Sequence, residues 1–197
     1  MSNINKTVEP IKNLKDIEKI KRHLLKNKKY RDYMLFVSGI NLGLRISDLL
    51  SLKVSDFFSC GKYKEEIDII EQKTGKARKI KLNASVKECV ALYLDSLKTF
   101  SENDYLFKSR KGNKAITKES AHRIISNVCL ECGVKGNFGT HTLRKTFAYQ
   151  LYIANAESPF ILEYLMKILN HSSQSITLRY IGLEQETLND LVDNLNL

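Results

Sequence analysis

Three separated clusters of this chain carry residue types suited to work on a phosphodiester. They are Gly43-Leu44-Arg45-Ile46-Ser47-Asp48, His141-Thr142-Leu143-Arg144, and the stretch from His171 to Tyr180. In chain order they offer an arginine, a His-x-x-Arg, a histidine and a tyrosine. Arg45 and Arg144 stay charged at any working pH, and a planar guanidinium can bind two phosphate oxygens at once. His141 and His171 can move protons near neutrality. The Tyr180 phenol can attack phosphorus if positive charge and a proton acceptor offset its ordinary pKa of about 10. Attack by a side chain keeps the phosphoester energy in a covalent intermediate and splits the reaction into two transesterifications. With four histidines and nine tyrosines in the chain, no single one is informative, and it is their order that carries meaning. His23 and His122 fall outside the pattern and read as surface or packing residues.

This order resembles the catalytic domain of the tyrosine recombinases, the phage-type integrases, over roughly residues 14–197. The resemblance implies a site-specific recombinase or integrase that breaks and rejoins DNA through a covalent 3′-phosphotyrosyl intermediate, without metal, ATP or another cofactor. In that scheme Arg45 and Arg144 clamp the phosphate, His141 accepts the Tyr180 proton, and His171 is a second donor to the scissile phosphate. Lys73, within Gln72-Lys73-Thr74-Gly75-Lys76, matches the hairpin lysine that protonates the departing 5′ oxygen, with Lys76 and Lys79 as alternatives. Asp48 matches the family's acidic position and is expected to orient Arg45 or a histidine through a hydrogen bond. The family often follows its tyrosine with x-His, where this chain has Ile181-Gly182, a position the chemistry does not need.

The same resemblance sets expectations for organisation and partners. Family members carry an N-terminal core-binding domain and close around DNA as a clamp. None is expected ahead of residue 14, so the chain reads as an excised catalytic domain or a short natural recombinase, with weak, salt-sensitive DNA binding. The tail 183–197 has Leu188, Leu191, Val192 and Leu195 at helical spacing. It resembles the helix that packs onto a neighbouring protomer in a tetrameric synapse on double-stranded DNA, although packing on its own domain is equally open. A type IB topoisomerase uses the same residues and would relax DNA without specific sites. A non-catalytic DNA-binding regulator would have no reason to keep Tyr180 with all its partners. An RNA-binding basic protein would explain the charge but not the ordered residues.

Residues so far apart need a rigid frame. The chain has 197 residues, 43% of them hydrophobic, enough to bury the core of one domain. Its formal charge of +10 favours a polyanionic partner such as nucleic acid. No apolar run approaches the ~20 residues that span a bilayer, and the polar N-terminus lacks a signal-peptide core. The expectation is a cytoplasmic, nucleoid-associated protein. Cys129-Leu130-Glu131-Cys132 is a lone C-x-x-C without a second pair, so its cysteines read as packing residues and no metal site is expected.

Residues 1–13 read as a flexible lead, ending near Pro10. Helical spacing follows over 14–27, and the apolar segment 30–42 reads as a buried helix stopped by Gly43, so that Arg45 opens a helix over 46–52. Two strands near 67–72 and 77–82 flank a turn at 73–76. Helices near 84–98, 117–131, 141–154, 158–168 and 183–194 complete the reading, with Tyr180 following a turn that contains Thr177. The class is α+β, mostly helical, with a small antiparallel three-stranded sheet.

Overall fold

In the computed structural model, residues 7–183 are described, together with residues 192 and 193. Helix α1 (Leu14–Lys26) starts where the Asn13 side chain accepts the Lys15 N–H at 2.8 Å, and its apolar face buries Ile17, Ile20 and Leu24. Helix α2 (Tyr30–Leu42) is buried along most of its length and ends at Gly43, whose φ of 61° suits a residue without a Cβ. Helix α3 (Ile46–Ser51) follows directly, with Arg45 as its N-cap.

Two short antiparallel hairpins come next: β1 (Phe58–Ser59) with β2 (Lys62–Tyr63), and β3 (Glu66–Ile70) with β4 (Ala77–Lys81). They are separate two-stranded sheets, not the single three-stranded sheet expected. The first pair is only two residues long because Cys60 and Gly61 both turn with positive φ. The second hairpin alternates, burying Ile67 and Ile69 while Glu66, Asp68 and Ile70 face out.

Helices α4 (Ala84–Asp95), α5 (Lys118–Glu131), α6 (Thr140–Ala154), α7 (Ile161–Leu169) and α8 (Gln174–Ile181) complete the described elements. Helix α8 replaces the turn expected before Tyr180. Its first turn is capped by Ser173, whose hydroxyl accepts the Ile176 N–H, and Gly182 closes it. The helix expected over 183–194 and the tail to 197 lie outside the described residues, apart from Leu183, Val192 and Asp193.

Hydrophobic burial forms two clusters. The larger collects α1 to α5 and the β3 side chains, and reaches α6 at Leu143. The smaller joins Ala148 of α6 to Ile161, Leu165 and Leu169 of α7 and Ile181 of α8. Helix α6 therefore belongs to both, and Arg144 sits where they meet. Gly39 and Gly43 of α2 make this crossing close. A Cβ on Gly39 would lie 2.5 Å from Leu143 Cδ1, and one on Gly43 would run into the Phe147 ring.

Residues 9–12, expected to belong to the flexible lead, are instead tied to the domain. Glu9 donates its N–H to the Asn137 carbonyl, and Ile11 donates its N–H to Thr146 Oγ1 at 2.8 Å. Gln150 bonds the carbonyls of Ile11 and Lys12, and the Ile11 side chain is buried.

Candidate active site

The site is built around two arginines delivered by different packing devices. Arg45 leaves the left-handed turn at Gly43 and reaches the β3–β4 hairpin, where its NH1 donates to Glu71 Oε2 at 2.5 Å. Glu71 stands just past the end of β3 and is 2% exposed. It also accepts from Thr74 Oγ1 at 2.8 Å and from Arg78 NH1 at 3.1 Å. Burial alone would raise the carboxyl's pKa, but the Arg45, Thr74 and Arg78 hydrogen bonds outweigh it and hold the value at about 2. Glu71 is thus an ionised hub joining Arg45 to the hairpin.

Asp48, expected to orient Arg45 or a histidine, does something else. It is buried, and its Oδ1 accepts the backbone N–H of Gln72 at 3.0 Å, while Oδ2 has no partner among the described residues. It anchors the start of the hairpin turn; the carboxylate that holds Arg45 is Glu71. Lys73 lies one residue further on, exposed, and makes no hydrogen bond among the described residues. Its neighbour Lys76 bonds the Asn170 side chain, linking the hairpin to the residue before His171. Lys79 is turned to Glu66 at 2.7 Å on the outer face of the sheet.

Arg144, 4% exposed, donates through NH2 to the carbonyls of Ile168 and Leu169 at 3.3 and 3.2 Å. These are terminal carbonyls of α7, where a cation is favoured by the helix dipole. Its NH1 is buried without a hydrogen-bond partner among the described residues. Burial draws its pKa down, with the charges of Arg45 and Arg78 adding to this and Tyr180 and Glu71 opposing. By gripping the end of α7, Arg144 also fixes the left-handed Asn170 and the histidine after it.

His171 and Tyr180 meet directly, their ring centroids 5.1 Å apart in an edge-to-face arrangement. His171 Nδ1 lies 3.1 Å from Thr177 Oγ1, and that hydroxyl donates to the Ser173 carbonyl at 3.2 Å. Thr177 and Tyr180 share one face of α8, so the histidine is held against both. Burial, then the charges of Arg144 and Arg45, lower the His171 pKa. Burial raises that of the Tyr180 phenol, and the same two arginines oppose it. All four groups therefore lie within one another's field.

His141 opens α6, on the outer side of its first turn. Burial, then Lys145, then Arg144 lower its pKa, leaving a neutral imidazole near pH 7. It makes no hydrogen bond to Tyr180 among the described residues. Of the expected set, then, Arg45, Arg144, His171 and Tyr180 converge, His141 stands at the margin, and Lys73 projects from the hairpin. His23 pairs with Glu131 at 2.8 Å, and His122 packs against Gly139.

The expected set omitted two residues of this cluster, Glu71 and Arg78. The only trace of Glu71 in the sequence is an acidic residue two positions before Lys73, at the edge of the basic stretch Lys73–Lys81. No helix among the described residues is long and apolar enough to cross a membrane.

The sequence matches the profile of the Phage integrase family over residues 11–187. A probable integrase/recombinase, YoeC of Bacillus subtilis (strain 168), is 44% identical over 180 residues, which make up 91% of this chain and 92% of that protein. Of solved structures, XerA recombinase superposes with a TM-score of 0.71 at 20% identity, covering 100% of this chain and 66% of that one. The XerH site-specific recombinase, in a post-cleavage complex with palindromic difH substrate, gives 0.67 at 21% identity, covering 98% of this chain and 55% of that one. The likeness to the two solved structures is one of fold. This chain spans nearly all of the Bacillus protein and between half and two thirds of those solved chains.

Proposed function

The chain belongs to the phage integrase family, and from that premise we propose that it is a site-specific recombinase cutting and rejoining duplex DNA through Tyr180. The observation that carries the reading is the convergence on this phenol: His171 against its ring, and Arg144 and Arg45 close enough to oppose the rise in pKa that burial imposes on it.

In the first step the Tyr180 oxygen attacks the scissile phosphorus and the bond to the 5′ oxygen breaks. The phenolic proton passes to His141, whose low pKa leaves it ready to accept. Lys73 supplies the proton that the departing 5′ oxygen needs. Arg45 and Arg144 neutralise the non-bridging oxygens, and a phosphate oxygen would satisfy the buried NH1 of Arg144. In the second step a 5′ hydroxyl attacks the phosphotyrosine, and the same protons run backwards.

His171 has a conditional part. Because the Thr177 hydroxyl donates to Ser173, the neutral imidazole carries its proton on Nδ1 and leaves Nε2 as an acceptor. It becomes a donor to phosphate by taking up a proton as the anion arrives. Nucleophile, charge stabilisers, acid and base are all side chains, so the reaction calls for no metal or ATP. Partner protomers on paired sites would complete the strand exchange.

The test is a nicked suicide duplex carrying candidate sites. A denaturation-resistant protein–DNA adduct should form, in EDTA as well, and vanish in Tyr180→Phe. An adduct that persists in that variant overturns the nucleophile, and a strict need for magnesium overturns the metal-free scheme.

A further inference from the structure

Lys145 is the residue of this region that the scheme above leaves unused. It follows Arg144 on α6 and is half-buried, yet makes no hydrogen bond or ion pair among the described residues. Withdrawing an ammonium from water without a partner is unfavourable, and such groups concentrate where their charge has a use. Its Nζ lies over the Tyr180 ring, 5.2 Å from the centroid, a cation–π distance. One helical turn separates it from His141, so the two side chains share a face of α6.

We propose that Lys145 is a positioning residue for strand cleavage, pressing on the Tyr180 ring and setting a fixed positive charge beside both Tyr180 and His141. The inference rests on the functional reading above. The Tyr180 ring is then held from two directions, by His171 from the loop before α8 and by Lys145 from α6. Its rotation is restricted before DNA arrives, which shortens the search for the in-line attack geometry. The same charge disfavours the imidazolium at His141, keeping that nitrogen open to the phenolic proton.

Several charged groups face this pair. Arg144 adjoins on α6, Glu9 from the N-terminal segment opposes the Lys145 charge, and Tyr180 and His171 approach from the α8 side. Arg45 acts on Tyr180 and His171 from the start of α3, and His122 of α5 lies across Gly139. Of these, Lys145 and Arg144 are the cations that depress His141. Arg144 is committed to the α7 carbonyls, so Lys145 is the adjustable one.

Single-turnover adduct formation on the suicide duplex, measured across pH for the wild type, Lys145→Met and Lys145→Arg, tests the idea. Losing a cation next to His141 raises its pKa, and the base works only when neutral. The acidic limb of the rate profile should therefore move to higher pH in Lys145→Met. Even a return of His141 to the ordinary value of about 6.5 leaves roughly a quarter of it neutral at pH 6, so cleavage should slow there by up to about fourfold, and hardly at all above pH 8. Lys145→Arg, still a cation able to lie on the ring, should restore the wild-type limb. NMR titration of the histidines in DNA-free protein gives a readout independent of turnover, with His141 titrating higher in Lys145→Met alone. A Lys145→Met profile and His141 titration both matching wild type would overturn this inference while leaving Tyr180 as nucleophile. Absence of any wild-type adduct would overturn both readings.

Discussion

Replacing Glu71 by glutamine is the most direct test of the hub that joins Arg45 to the hairpin. The carboxyl is 2% exposed, and Arg45, Thr74 and Arg78 hold its pKa at about 2, against an ordinary 4.5. A pKa held lower in the folded chain than in the unfolded one means that ionised Glu71 stabilises the fold. At about 1.4 kcal/mol for each tenfold change, that difference is on the order of 3 kcal/mol. The figure agrees with the ~3–5 kcal/mol lost when one partner of a buried ion pair is removed. The sign is fixed by the direction of the change. The contribution is complete above the unfolded value of 4.5 and fades as pH falls from there to about 2. Urea denaturation suits the measurement, because guanidinium chloride would screen the ion pairs. At pH 7.5, Glu71→Gln should lose about 3 kcal/mol with an unchanged dependence on urea. By about pH 3 the two proteins should have converged by at least half. A deficit under about 1 kcal/mol at neutral pH, or one that stays constant into acid, would refute the reasoning.

Three further outcomes are expected. Lys73→Ala should cleave ordinary DNA poorly but recover on a substrate whose 5′ bridging oxygen is replaced by sulfur, since a thiolate leaves without a proton; no recovery would remove Lys73 as the acid. Binding of duplex DNA near pH 7 should be accompanied by proton uptake that is lost in His171→Ala, measured by calorimetry in buffers of different ionisation enthalpy. Uptake unchanged in that variant would show that His171 does not become the phosphate donor. Gly39→Ala should cost about 1–3 kcal/mol in urea, because the added methyl meets Leu143 Cδ1 at 2.5 Å; a neutral result would mean that α2 and α6 can separate freely.

What could be read from the sequence depended on how local the determining forces are. The position of Arg45 was legible because Gly43 ends a continuous apolar segment two residues earlier. The hairpin around Lys73 was legible in the alternation of β4 and the Gly75 turn, but the choice of Lys73 over Lys76 and Lys79 came from the family resemblance alone. Glu71 was not, since an acidic residue beside a turn reads as solvated. Its burial depends on Arg45, 26 residues away, as well as on Arg78. Asp48 was placed correctly on α3, but its partner is a backbone N–H on the hairpin, which no side-chain pattern records. Helix α8 escaped because Gln174, Ser175 and Thr177 are indifferent helix formers in an eight-residue segment. The tying of Ile11 to Thr146 spans 135 residues, and only tertiary packing could reveal it.

The contact of Gly39 and Gly43 with Leu143 and Phe147 works as a caliper. Arg45 departs two residues beyond one jaw and Arg144 adjoins the other, so the gap between their stems is gauged by bare helix backbone against side chain. There is no slack in it. Ile67 and Ile69 anchor β3 in the core, but the turn of the β3–β4 hairpin is held by contacts of another kind: Glu71 with Arg45, the Gln72 N–H with Asp48, and Lys76 with Asn170. In each, the donor (Arg45, the Gln72 N–H or Lys76) is one from which a phosphate oxygen can also accept. On the proposed reading, a duplex whose phosphate met the two arginines without displacing these bonds would be held but left uncut.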